Sequence, residues 1–133
     1  MAVEINNKTK NRIDLSLVKK TGGKFLQYKN KEKFDVSIAF VGDSEMRKLN
    51  KRYRGINKTT DVLSFSGEEG FLGEIVISYA QIKRQAKEFG NKTKDELIFI
   101  LVHGLLHLLG YDDRTEAGRK KMERLGAEFI KNF

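Results

Sequence analysis

The alternation of apolar and polar residues predicts four short strands. Residues 2–6 (AVEIN) alternate, and residues 34–41 (FDVSIAFV) alternate and are also rich in β-branched side chains. Two shorter apolar runs follow at residues 62–65 (VLSF) and 73–78 (GEIVIS). Because a glycine-rich turn lies between these two runs, we expect them to pair with each other in a sheet.

Apolar residues recur at helical spacing in the remaining segments. Gly22 and Gly23 weaken the prediction of the first helix, because a glycine inside a helix costs about 1 kcal/mol relative to alanine. We expect Asp43 to cap the second helix, and the sequence Thr93-Lys-Asp-Glu96 matches a capping box at the start of the fourth. The predicted helices cover approximately residues 10–28, 43–53, 78–89, 94–109 and 115–131.

Strands that alternate with helices predict an α/β fold, with helices packed on a small mixed sheet. The chain has 133 residues, of which 39% are hydrophobic, so it can bury one core but is too short for two ordinary domains. We therefore expect a single compact domain over residues 1–133.

The composition narrows the class of protein. The chain has no run of about 18 apolar residues, its first residues lack the apolar stretch of a signal peptide, and it contains no cysteine. These observations argue against a membrane span, disulfides and thiolate metal sites, and we expect a soluble cytoplasmic protein.

The charge balance favours a polyanionic partner. Lys and Arg total 26 and Asp and Glu total 18, which gives a net charge of +8. Such an excess attracts nucleic acids over long range and through counterion release. On charge alone, a soluble basic protein without such a partner is an equally good interpretation.

Both histidines of the chain lie four residues apart in the apolar segment HGLLHLLGYDD, residues 103–113. On a helix, His103 and His107 share one face and lie about 6 Å apart along the axis, where two imidazoles can hold one metal ion. Buried imidazoles are costly unless their nitrogens have partners, and a metal ion would provide them. The alternative is a pair of hydrogen-bonded histidines at the edge of a core.

The residues after the helix offer a third ligand. Gly110 can end the helix and turn the chain back, so that Tyr111, Asp112 or Asp113 faces the histidines. Three protein ligands with one open position are typical of a catalytic zinc site. In the zinc peptidase motif a glutamate follows the first histidine as general base, but this chain has Gly104 there, which argues against a peptidase of that type.

Several stretches together resemble the YbeY-type family of bacterial endoribonucleases, which mature ribosomal RNA. The stretches are LNKRYRG (49–55), TTDVLSFS (59–66), LGEIVIS (72–78) and HGLLHLLGYDD (103–113), followed by Met122 on the last helix. The family signature H-G-x-L-H-L-x-G-Y-D-H agrees with this chain as far as Asp112.

The resemblance implies a compact α/β fold with one zinc ion in a basic cleft. It also implies cleavage of single-stranded RNA, with roles in 16S ribosomal RNA 3′-end maturation and ribosome quality control on the small subunit, and no membrane partner. The family's metal-binding histidines correspond to His103, His107 and position 113, and its functionally important arginine corresponds to Arg54.

Position 113 departs from the family pattern, because this chain has aspartate where the family has histidine. Carboxylate oxygen is a zinc ligand, but the shorter side chain requires the loop to come closer or a water molecule to bridge. Metal preference would then shift toward harder ions such as Mn²⁺ or Mg²⁺. We expect Asp113 to bind the metal and Asp112 to orient the turn or a ligand. The alternatives are that Asp112 replaces Asp113 as ligand, or that Asp113 is only a solvated turn residue.

The segment around Arg54 is dense in basic residues and suits an RNA backbone, since arginine can clamp phosphate and stabilise charge on a phosphoryl oxygen. For each of these residues alone, a solvated helix face is the competing interpretation. The predicted RNA-binding residues are Arg47, Lys48, Lys51, Arg52 and Lys58. Tyr53 and Phe71 can also stack on unpaired bases, whereas Phe65 is better suited to the core.

These observations lead to one main hypothesis and two alternatives. The main hypothesis is a metal-dependent endoribonuclease. The first alternative is a metal-dependent hydrolase of another substrate, such as a peptide or small ester. The second is a ribosome-associated RNA-binding factor with a weakened metal site, which the aspartate at position 113 would explain.

Overall fold

A computed structural model describes residues 3–133, so that Ala2 of the first predicted strand lies outside the described residues. The elements follow the order that the hydrophobic pattern predicts. They are β1 (Val3–Asn7), α1 (Leu15–Tyr28), β2 (Asp35–Val41), α2 (Asp43–Arg54), β3 (Val62–Ser66), β4 (Phe71–Ser78), α3 (Tyr79–Phe89), α4 (Thr93–Leu108) and α5 (Glu116–Lys131).

The strands form one mixed sheet in the order β1-β2-β4-β3. Strands β1, β2 and β4 run parallel to one another, and their connections pass through helices, as parallel pairing requires. Strand β3 pairs antiparallel with β4 across the short turn, with Leu63 opposite Val76. The α/β fold with a small mixed sheet and the pairing of the two central runs are thereby confirmed.

Helix α4 lies at the centre of the fold. It contacts α1, α3, α5, β3 and β4, and Leu101, Leu105 and Leu106 are at most 1% exposed. Burying such a side chain contributes about 1.5–3 kcal/mol relative to leaving it exposed. A helix that is apolar on nearly all sides belongs in a core, so any polar side chain that it carries needs a local reason.

Helix α1 forms despite its two glycines and begins later than the pattern predicts. Asp14 caps it by accepting a hydrogen bond from the backbone N–H of Leu17. A methyl group on Gly22 would lie 3.2 Å from Val3 in β1, so this glycine lets the helix approach the sheet closely. Tertiary packing therefore overrides the low helix propensity of glycine here.

Two predicted helix caps are wrong, although both helices exist. Gly42 rather than Asp43 occupies the cap position of α2, and the Asp43 carboxylate instead accepts hydrogen bonds from Ser78 and Arg84. At the start of α4, Lys92 occupies the cap position and no side chain caps the backbone.

The side chain that would complete the predicted capping box at α4 has other partners. The carboxylate of Glu96 is buried and accepts hydrogen bonds from the side-chain amides of Gln85 and Asn91. In both helices a tertiary partner competes with the backbone for the carboxylate.

Within residues 3–133, none of the helices combines the length and the apolar character needed to cross a membrane.

Candidate metal centre

The two histidines project from the last two turns of α4. Their imidazole centroids lie 4.8 Å apart with the rings nearly perpendicular, and the side chains of His103 and His107 are 19% and 29% exposed. Between them, Gly104, Leu105 and Leu106 are buried. One face of a largely buried helix thus reaches solvent, and it carries Phe99 as well as the two histidines.

The close packing of α4 on the sheet depends on Gly104. A methyl group at this position would lie 3.0 Å from Ile75 Cγ2 and 3.3 Å from Val62 Cγ2. In addition, the hydroxyl of Ser64 in β3 donates a 3.1 Å hydrogen bond to the Gly104 carbonyl oxygen. The position that holds a general base in zinc peptidases therefore faces the sheet here and has no room for a glutamate.

The chain reverses direction directly after α4. Gly110 has φ +95°, in the left-handed region that glycine enters without strain, and its N–H donates to the carbonyl oxygen of His107. The N–H of Tyr111 donates to the carbonyl oxygen of Leu106. These two bonds close the helix end and bring the following aspartates back toward the histidine face.

Asp113 reaches both imidazoles. Its Oδ2 lies 3.1 Å from His103 Nε2 and 3.5 Å from His107 Nε2. The ligand atoms of the three residues all lie within 4.8 Å of one another. Two imidazole nitrogens and one carboxylate oxygen are a donor set that zinc accepts, and three protein ligands leave a position for solvent or substrate. The arrangement fits a catalytic divalent cation.

Asp112 is not a member of this cluster, and its contacts stabilise the turn. Its carboxylate accepts hydrogen bonds from the backbone N–H of Arg114 at 2.7 Å and from Arg114 Nε at 2.6 Å. The backbone hydrogen bond, followed by the guanidinium hydrogen bond, holds the pKa of Asp112 below its ordinary value. A carboxylate held in this way fixes the loop that carries Asp113.

The three candidate ligands line an open pocket of about 810 Å³. Helix α2 contributes Tyr53 and Arg54, strand β3 contributes Val62 to Ser66, and helix α5 contributes Arg119 and Glu123. Pockets of about 300–1,000 Å³ are typical of sites for small-molecule ligands, so this one can take more than a metal ion.

The predicted functional arginine and the predicted RNA-binding residues lie in different places. Arg54 lines the pocket and is exposed. The five predicted RNA-binding residues are exposed on α2 and the following loop, and none of them lines the pocket; they are Arg47, Lys48, Lys51, Arg52 and Lys58. Arg47 donates a 2.8 Å hydrogen bond to Asn57, which ties the loop to the helix.

The aromatic residues named from the sequence also differ in position. Phe65 is half-buried, packs against a small core cluster and meets Tyr53 edge-on with 4.9 Å between ring centroids. Tyr53 is 56% exposed and lines the pocket, whereas Phe71 is exposed but lies outside the pocket lining.

Sequence reasoning missed four residues that the fold brings to the pocket. Arg114 follows the aspartates directly, and Phe99 lies one helical turn before His103, so both were within reach of the local pattern. Arg119 and Glu123 lie four residues apart on α5 and share one face of that helix. Their spacing signals a common face, but only the packing of α5 on α4 shows where this face points.

Comparisons with known proteins agree with this geometry. A family model described as "Endoribonuclease YbeY" matches residues 4–133. The endoribonuclease YbeY of Pelotomaculum thermopropionicum is 42% identical, with coverage of 74% of this chain and 72% of the relative. That of Persephonella marina is 38% identical and covers 91% of this chain and 84% of its own.

A solved structure is also similar. The solution structure of TM1509 from Thermotoga maritima has a TM-score of 0.69 and 29% sequence identity. The similarity covers 96% of this chain and 86% of the other.

Proposed function

The chain belongs to the endoribonuclease YbeY family, whose members are metal-dependent endoribonucleases of ribosomal RNA maturation, and we propose that it cleaves single-stranded RNA with one zinc ion held by His103, His107 and Asp113. The reaction is that of the family, and the proposed ion and its ligands are argued from the residues of this chain. We further propose that residues 1–133 act as one hydrolase domain in the cytoplasm, on the 3′ end of 16S ribosomal RNA within the small subunit and in ribosome quality control.

One observation carries the proposal. Three metal-ligating side chains converge within 4.8 Å on the wall of a pocket that three arginines also line, namely Arg54, Arg114 and Arg119. A cation site beside guanidinium groups suits a phosphodiester, whose hydrolysis places additional negative charge on the phosphoryl oxygens. A peptide or ester develops charge on a single oxygen and has less need of three guanidinium groups.

The residues divide into two roles. When bound, a divalent cation lowers the pKa of water and offsets charge on a phosphoryl oxygen. His103, His107 and Asp113 would hold this ion, and the backbone turn stabilised by Asp112 holds Asp113 against the histidines.

The guanidinium groups act on the substrate. Arg54 can donate two parallel hydrogen bonds to a phosphate and stabilise the charge that grows on it. Among the described residues, neither Arg54 nor Arg119 forms an ion pair, so both guanidinium groups are available to an anion. Arg47, Lys48, Lys51, Arg52 and Lys58 extend the basic surface along α2 and can follow the RNA backbone outside the pocket.

The donor set supports zinc as the proposed ion. Two imidazoles favour zinc, while the carboxylate makes the site more tolerant of harder ions such as Mn²⁺. Asp113 lies within hydrogen-bond distance of His103 directly, so the turn has come close enough to compensate for the shorter side chain. This supports Asp113 as a ligand over a solvated turn residue.

Metal analysis and RNA cleavage together test the proposal. We expect the purified protein to bind one equivalent of zinc. Loss of a partner that only supports a ligand typically weakens metal affinity by about 10- to 100-fold, so Asp113→Ala, which removes a ligand, should weaken it by at least that much. Glu69→Ala removes an exposed carboxylate from the β3–β4 turn and should leave metal binding unchanged.

In the presence of the metal ion, the wild type should cut a single-stranded ribosomal RNA fragment and leave its duplex intact. His107→Ala should abolish this cleavage. Equal cleavage by the alanine variant would reveal a contaminating nuclease, whereas RNA binding without metal binding would favour the ribosome-associated binding factor. Turnover of peptides or esters in place of RNA would favour the other hydrolase.

A further inference from the structure

Two exposed aromatic side chains stand on the pocket wall around the candidate metal ligands. Phe99 is 40% exposed and Tyr53 is 56% exposed, and both line the pocket. Neither residue has a role in holding the metal or the phosphate. Large aromatic groups exposed in a pocket that also carries charged side chains point to a ligand with flat apolar faces.

The position of Phe99 relative to the metal ligands is fixed by the helix. It lies one turn before His103 on α4, and the two rings are stacked at 6.4 Å between centroids with an angle of 27° between their planes. Because α4 is the central helix and packs against three helices and two strands, the backbone that carries the ring is held on several sides. A planar group that stacked on Phe99 would lie directly beside the metal site.

Tyr53 comes to the pocket from a different element. It is the residue before Arg54 at the end of α2, and its ring is braced by an edge-on contact with Phe65 at 4.9 Å. The guanidinium carbon of Arg52 lies 5.4 Å from its ring centroid. Cationic and aromatic groups placed together in this way match a base followed by its phosphate.

We propose that Phe99 and Tyr53 are base-stacking sites that select single-stranded RNA, with Phe99 holding the base nearest to the metal ligands. This inference rests on the proposed nuclease function and adds its specificity determinants. Nucleic-acid bases in a duplex stack on each other, so their faces are closed to side chains, whereas unpaired bases can stack on aromatic rings. Stacking depends little on base identity, because every base has a flat face, so the two rings select for strandedness over sequence.

Binding measurements with and without bases test the proposal. The probe is a short fluorescent single-stranded RNA, titrated in EDTA so that no cleavage occurs, and its matched control is the same backbone with abasic sites. We expect Phe99→Ala and Tyr53→Ala each to weaken binding of the base-bearing RNA by about 5- to 150-fold, the range for loss of one stacked base. Binding of the abasic control should change little in either variant.

Two sets of variants separate stacking from other effects. Phe99→Tyr and Tyr53→Phe keep a ring at each site and should keep the affinity of the wild type for the base-bearing RNA. Phe89→Ala removes a ring that is 62% exposed but lies outside the pocket lining, and it should change neither affinity. Thermal unfolding of each variant checks that the exposed position tolerates alanine.

The proposal is overturned if Phe99→Ala and Tyr53→Ala weaken the base-bearing and abasic RNAs equally, because the rings would then act only through the structure. It is also overturned if duplex RNA binds as tightly as the single strand. Either result would leave the nuclease function intact as long as the wild type with metal cuts RNA, so the two failures can be told apart.

Discussion

At the scale of single residues, Asp113 decides the chemistry of the candidate metal centre. Its carboxylate oxygen lies between the two imidazoles at the place where the resemblance predicts a third histidine. Asp113→His replaces an oxygen ligand by a nitrogen ligand, so we expect affinity for zinc to rise relative to affinity for Mn²⁺. Competition titrations with a metal-sensitive dye measure this ratio. An unchanged ratio would mean that residue 113 does not touch the ion.

Gly104 is important for packing because it has no side chain. Gly104→Ala gains helix propensity, but its methyl group would press on Ile75 and Val62, and overpacking of this kind costs about 1–3 kcal/mol. We therefore expect a net loss in the free energy of unfolding, measured by urea denaturation.

Gly126→Ala in α5 is the matched control. Its methyl group would meet Val102 and Leu106 only at ordinary contact distances of 3.6 and 3.9 Å. It should keep the propensity gain of up to about 1 kcal/mol. A destabilised Gly126→Ala together with an unaffected Gly104→Ala would contradict this account of how α4 meets the sheet.

At the scale of elements, the periodicity of apolar residues predicts the positions of helices and strands well. It predicts helix caps poorly, because these depend on contacts with other elements. Within residues 3–133, the four strands and five helices follow from the apolar pattern, because each element buries a stripe or a face. The predicted caps at Asp43 and Thr93 fail, because the carboxylates that the sequence assigns to capping have partners on other elements. Such competition is invisible in a local pattern, since Arg84 lies 41 residues from Asp43.

The bond network of Asp43 joins three elements and predicts a pH dependence. Hydrogen bonds from Arg84 in α3 lower the pKa of this carboxyl first, partial burial opposes them, and a hydrogen bond from Ser78 adds to the lowering. A carboxyl whose pKa is depressed on folding contributes stability above its unfolded pKa of about 3.9, and this stability is lost as the pH falls through the folded value.

Asp43→Asn should therefore destabilise the protein at pH 7, and the difference from the wild type should shrink as the pH falls below about 4 and vanish only below the lowered pKa of the folded state. Because the side chains are 42% and 51% exposed, solvent screens the pair, and we expect its coupling in a double-mutant cycle with Arg84→Gln to be about 0.2–1 kcal/mol. Urea denaturation of the wild type and the variant at pH 7 and at low pH measures the difference in the free energy of unfolding. A difference that persisted at low pH would assign the effect to packing of the amide.

At the scale of the whole molecule, the pocket could be predicted only in part. His103, His107 and Asp113 lie within eleven residues of sequence, so helix geometry and one glycine turn suffice to bring them together. Arg54 lies in α2, which precedes α4 along the chain, and Arg119 lies in α5, which follows it. The two residues line the same pocket only because of how these helices pack. The sequence therefore predicts the candidate metal ligands together with Arg54 and Tyr53, and the fold adds Phe99, Arg114 and Arg119 to the same pocket.

The position of Arg119 in the pocket predicts how salt concentration should affect RNA binding. The net charge of +8 attracts RNA in general, but only groups that neutralise phosphates contribute to the dependence of affinity on salt concentration, at about 0.7 in the logarithmic slope for each phosphate on a single strand. Arg119 lines the pocket, whereas its neighbour Lys120 is paired with Glu116 on the surface and lies outside the pocket lining.

Arg119→Gln and Lys120→Gln remove the same charge from adjacent positions of α5. Anisotropy titrations in EDTA over a range of salt concentrations should show a slope smaller by about 0.7 for Arg119→Gln and nearly unchanged for Lys120→Gln. Equal slopes in the two variants would mean that RNA responds to the overall charge of the protein rather than to the wall of this pocket.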